Sequence, residues 1–130
     1  MVFVVTSYPL ADVLRITGAT KAQIVHWHGR GLIKPTQESE GTGHKRLFDA
    51  QELVAIRGAV VLVNDFHLPL RALRVALEGI RTAARRLEST VTITARDNSA
   101  EIVIDVNLLA VTVREVSGTG EPGGISKFEG

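Results

Sequence analysis

Thr17-Gly-Ala-Thr-Lys-Ala-Gln-Ile-Val-His-Trp-His-Gly-Arg-Gly-Leu-Ile-Lys-Pro35 is the stretch on which the fold turns. Upstream of it, Leu10, Val13, Leu14 and Thr17 recur at helical spacing, with Ser7 as a cap and Pro9 in the first turn. Gly18 then stops this helix, because a glycine past a C-terminus takes the left-handed backbone cheaply. Thr20 opens the next helix, and Gln23, three residues on, completes a capping-box pattern. The second helix spans Lys21–Gly29, with Ile24 and Trp27 inward and Val25 as a further inward candidate. Lys21, Gln23, His26 and Arg30 are left outside. Pro35 forbids continuation. Two short helices joined by a tight glycine-containing turn make a helix-turn-helix.

Downstream, glycines 41 and 43 lie in a polar loop that leads to His44, Lys45 and Arg46 and then to apolar Leu47 and Phe48. This reads as a β-hairpin with a basic return strand. Asp49 caps a third helix, with Glu52 at the box position. Its buried stripe is Leu53, Ile56, Val60 and Val63 or Val61, and Asn64-Asp65 ends it. Pro69 begins a fourth helix reaching toward Glu88. Leu70, Leu73, Ala76, Leu77 and Ile80 share one face, and Arg71, Arg74, Arg81, Arg85 and Arg86 lie mainly on the other.

Past Ser89 the apolar period falls from helical to two. Val91 and Ile93, then Ile102 and Ile104, flank the turn cluster Asp97-Asn98-Ser99, a second hairpin. Asn107 is a cap for a short helix over 108–116, although its β-branched residues suit a strand nearly as well. Residues 2–6 suit a short strand or arm. The Gly-, Ser- and Pro-rich end suits a disordered tail. The expected division is 1–88 for the helix-turn-helix, its basic hairpin and the following helices, 89–117 for the small second-hairpin region, and 118–130 for the tail.

Composition narrows the function classes. Hydrophobic residues make up 45% of the 130, enough for a core, and aromatics only 5%, so that core is aliphatic. The absence of cysteine excludes disulfides and thiolate metal sites. No apolar run approaches a membrane span, and no signal peptide is legible. Residues 1–90 hold twelve Lys/Arg against eight Asp/Glu, whereas 91–130 hold three against six. The basic part is the one suited to a polyanion. No phosphate-binding glycine loop, serine elbow or spaced ligand set marks an enzyme.

The 17–35 segment, followed by His44-Lys-Arg-Leu-Phe-Asp49, resembles the opening of MerR-family transcription regulators. The shared pattern is a Thr-Gly pair, a Ser/Thr cap, paired aromatics on a recognition helix, Gly-Leu and Pro, then a basic wing ending at a cap. The resemblance covers about residues 8–80. It implies a mainly α fold with small β elements: a MerR-type winged helix-turn-helix, then a helix and a short C-terminal β-hairpin region. It also implies a sequence-specific transcription regulator of double-stranded DNA, a homodimer, cytoplasmic and nucleoid-associated, with RNA polymerase as a further partner and no cofactor or metal. The DNA-binding residues it marks, together with the exposed-face reading, are Thr20, Lys21, Gln23, His26, Trp27 and Arg30 on the helix. His44, Lys45 and Arg46 mark the wing, and Arg71 and Arg74 the fourth helix. Arg46 has an alternative partner in Glu52 or Asp49. Val25 stands where many relatives carry Arg, and His26-Trp27 where a Tyr pair is common, so the target sequence does not transfer. An excisionase-like architectural protein and an antitoxin-like interaction protein are the other readings of the same pattern.

Overall fold

A computed structural model describes residues 7–36 and 46–119. The elements, in order, are β1 (Ser7–Pro9), α1 (Leu10–Thr17), α2 (Lys21–Gly29), β2 (Leu47–Asp49), α3 (Ala50–Phe66), α4 (Leu70–Arg86), β3 (Thr90–Thr94), β4 (Glu101–Asp105) and α5 (Val106–Thr119). The mainly helical architecture with two small antiparallel pairs is the expected one.

α3 is the central element. A single stripe was expected on it, but Leu53, Val54, Ala55, Ile56, Ala59, Val60 and Leu62 are all buried. The reason is that α1, α4 and α5 all pack on it, so most of its faces meet protein. It ends one residue past Asn64-Asp65, at Phe66, with His67 in the left-handed cap at φ 55°. From α4, Leu73, Ala76, Leu77, Ile80 and Ala83 complete the same core. Ile104, Val106, Leu109 and Val113 from the C-terminal part join it too.

Several local expectations are corrected. Ser7 does not cap α1. It lies in β1 opposite Asp49, and Pro9 holds the N-cap position with no side-chain bond. Leu47–Asp49 is a strand as expected, but its ladder partner is β1, with Tyr8 opposite Phe48. The last helix begins before Asn107: the Asp105 carboxylate accepts from the Leu108 N–H at 2.8 Å, so Asp105 is the cap. Its β-branched residues do not make it a strand, because Val106, Leu109 and Val113 recur at helical spacing and are buried. The helix carries on through Thr119, past the point where the tail was expected to start. The arm at 2–6, the wing tip at 37–45 and the tail beyond 119 lie outside the described residues.

β3 and β4 pair antiparallel with Val91 opposite Ile104 and Ile93 opposite Ile102. The inner face of β3 rests on α4 at Gly79, where a Cβ would lie 2.8 Å from Val91 Cγ1. Only a glycine lets the strand come that close.

Candidate nucleic-acid interface

α2 is held at its start by its own sequence. Thr20 Oγ1 accepts from the Gln23 N–H at 3.1 Å, and Gln23 Oε1 accepts from the Thr20 N–H at 3.0 Å. This is the expected capping box. The first-turn N–H groups of Lys21 and Ala22 remain outside it, at the positive end of the helix dipole. The Gln23 amide also donates to Asn64 Oδ1 at 3.0 Å, tying α2 to the end of α3. Gln23 is half-buried, and both ends of its amide are engaged.

The inner face of α2 is Ile24 and Trp27, 1% and 2% exposed. Trp27 is therefore a core residue. The outer face is Lys21, Ala22, Val25, His26 and Arg30, all exposed. Val25, an inward candidate from sequence, is 51% exposed. No other described element covers this face.

The turn before α2 and the turn after it are clamped by arginines from neighbouring helices. Gly18 is left-handed at φ 82°, and Arg57 Nη1 donates to the Thr17 carbonyl at 3.0 Å. Beyond α2, Arg74 Nη2 donates to the Arg30 carbonyl at 2.9 Å. Arg74 thus sits at the C-terminal end of α2, where a cation suits the dipole. Arg71 is placed differently. It is exposed and lines an open apolar groove of about 530 Å³ between the start of α4 and the tip of the β3–β4 hairpin.

The strongest clamp was not legible in advance. Glu52 Oε2 accepts from the Lys34 N–H at 2.9 Å and from Arg81 Nη2 at 2.7 Å, while Arg81 Nε donates to Glu52 Oε1 at 3.1 Å. Arg81 Nη2 also donates to the Leu32 carbonyl at 2.6 Å. Burial works against the Arg81 charge, but the hydrogen bonds and charge of Glu52, with Glu78 behind it, outweigh this and hold its pKa above the ordinary arginine value. Glu52 therefore does not reach back to close a box at Asp49, although Asp49 does cap α3 through the Glu52 N–H at 2.8 Å. It leaves Arg46 unpaired with it.

Arg46, the first described residue after 37–45, is half-buried, and its Nε is buried with no hydrogen-bond partner among the described residues. The wing base is closed by Thr36, whose N–H and hydroxyl both donate to the Leu47 carbonyl, at 2.8 and 3.0 Å. His44 and Lys45 lie outside the described residues. Among the described residues, no three His, Cys, Asp or Glu side chains group as a metal site, and no helix is long and apolar enough to cross a membrane.

The arrangement is a two-helix unit whose second helix keeps, among the described residues, a bare and cationic outer face. A comparison with curated proteins gives no match. Residues 8–87, from β1 to the end of α4, match the family described as MerR HTH family regulatory protein. That span takes in all three clamps and the bare face of α2, and the chain belongs to this family of DNA-binding transcription regulators.

Proposed function

We propose that the protein binds double-stranded DNA sequence-specifically as a homodimer, with α2 in the major groove and the wing on the flanking backbone. The observation that carries this reading is the bare outer face of α2, which is held rigidly from both ends while its inner face is core. Base edges in the major groove present a distinct pattern of donors and acceptors, and His26 and Val25 lie centrally on the face that would meet them. Lys21 and Arg30 flank them and suit phosphates, as do the free N–H groups of the first turn beside Thr20. Lys45 and Arg46, with His44, supply the wing contacts. Gln23, Trp27 and Arg74 act by positioning α2, since their polar or aromatic groups are engaged within the fold. Arg71 is the outlying phosphate candidate.

One such module buries too little surface for high specificity, and a two-fold pair reads two half-sites. Action on promoter DNA makes RNA polymerase the further partner and the nucleoid the place of work. Repression by occlusion and activation by DNA distortion both fit this geometry.

Salt titrations of DNA binding test the assignment. Lys21→Ala and Arg46→Ala should each weaken binding to all sequences and lower the slope of log K against log salt by about one. His26→Ala should leave the slope alone and change the sequences enriched from a random duplex pool. Unchanged slopes and an unchanged enriched motif would reject the interface.

A further inference from the structure

β3 and β4 form a two-stranded sheet, so among the described residues each has an edge with no strand beside it. Hydrogen bonds at the two ends of the ladder set its phase. The Val106 N–H donates to the Ser89 carbonyl and the Ala95 N–H to the Ala100 carbonyl, each at 2.8 Å. Bonded and non-bonded pairs alternate along an antiparallel ladder, so Val91–Ile104 and Ile93–Ile102 are the bonded pairs between. Thr90, Thr92 and Thr94 therefore turn their N–H and C=O groups away from β4, to the outer edge of β3. Glu101, Val103 and Asp105 do the same on the outer edge of β4.

The two edges are guarded differently. β4 carries an acid near each end, and two copies paired about Val103 would set Glu101 against the partner's Asp105. Like charges opposed in this way disfavour pairing. β3 is Thr90-Val91-Thr92-Ile93-Thr94, with no charge, proline or glycine. It also reads nearly the same in both directions. We propose that β3 pairs antiparallel with β3 of a second copy of this chain, about a two-fold axis at Thr92, making one four-stranded sheet. The proposal rests on the homodimer reading above and names its surface.

The register satisfies both faces. Thr92 meets the partner's Thr92, Thr90 meets the partner's Thr94, and these are the residues whose backbone groups point outward, giving about six new N–H···O=C bonds. Val91 meets the partner's Ile93 on the face that rests on α4. There Val75, one turn before Gly79 on the same side of α4, is 60% exposed and offers apolar surface to the incoming strand. Threonine pairs with threonine on the solvent face, a favourable cross-strand match.

The chain has no cysteine, so Thr92→Cys introduces a single thiol. In the proposed register the two Thr92 Cα atoms lie about 5.5 Å apart, within disulfide reach. The two Thr90 residues lie about 13 Å apart along the strand. The full-length Thr92→Cys protein should form a covalent dimer under mild oxidation, and Thr90→Cys should not. Thr92→Pro removes an outward N–H while sparing the β3–β4 bonds, and should weaken dimerisation at least tenfold by sedimentation. A dimeric parent protein whose Thr92→Cys variant stays uncrosslinked, or whose Thr90→Cys variant crosslinks equally, would overturn the surface and leave the dimer standing. A parent protein that is monomeric both free and on its DNA site would overturn both. If Thr92→Pro proves unfolded by circular dichroism, the two cysteine variants decide the matter alone.

Discussion

The Glu52 carboxylate joins three segments that are far apart in the chain: the Lys34 backbone, the start of α3 and Arg81 on α4. The side chains of the Glu52–Arg81 pair are 11% and 17% exposed, so removing either partner strands a largely buried charge. Glu52→Ala or Arg81→Ala should cost about 3 kcal/mol, read as a lower urea midpoint at unchanged slope. Arg81 has its pKa raised by the fold, so its contribution is fully present below the ordinary arginine value and is lost only as pH climbs through the higher folded value. Stability lost by Arg81→Ala should thus be the same at pH 7 and pH 10. A loss that shrinks by pH 10 would show the guanidinium is not held as described. The double variant Glu52→Leu/Arg81→Met, which removes both charges together, should recover much of the stability.

Between elements, the contact that places the hairpin is the crossing of β3 over α4 at Gly79. Alanine is intrinsically favoured over glycine in a helix by up to about 1 kcal/mol. Here its Cβ would sit 2.8 Å from Val91 Cγ1, and a β-branched side chain cannot turn aside easily. Overpacking of this kind costs about 1–3 kcal/mol. Gly79→Ala should therefore destabilise the protein, and Val91→Ala should rescue it in the double variant. Thermal midpoints of the four proteins check this; a stabilising single Gly79→Ala would mean the strand is free to lift away. The same crossing carries β3 across α4, so the rescue experiment also reports on the hairpin used in pairing.

For the whole molecule, the part that matches the regulator family and the C-terminal part share one core. Ile104, Val106, Leu109 and Val113 are buried with the residues of α3 and α4. Burial of side chains this size is worth roughly 1.5–3 kcal/mol each, an upper range given a partly compact unfolded chain. A chain ending at residue 88 should be destabilised by several kcal/mol and bind a hydrophobic dye, because α3 loses one of its covering helices. A chain ending at residue 119 should match the full-length protein in urea unfolding and in DNA affinity. An equally stable 1–88 chain would show two independent units.

Local chemistry was sufficient for the elements themselves. The Thr20–Gln23 box, the left-handed Gly18, Pro35 and the change of apolar period at Ser89 act over a few residues, so α1, α2, α4 and the β3–β4 hairpin could be read directly from them. The bare face of α2 was legible for the same reason, because helical spacing separates Lys21, His26 and Arg30 from Ile24 and Trp27. What only the tertiary structure decided was which distant group each polar residue meets. Glu52 could serve a cap, Arg46 or Arg81, and the fold brings Arg81 to it across 29 positions. The Gln23 amide could face DNA or Asn64, 41 positions away, and it takes Asn64. Asp105 and Asn107 are both good caps, and α5 could have been a strand until α3 offered Val106, Leu109 and Val113 a place to bury. Backbone hydrogen bonds and caps depend on neighbours in sequence, whereas ion pairs and burial depend on neighbours in space, and those exist only once the chain has closed on itself.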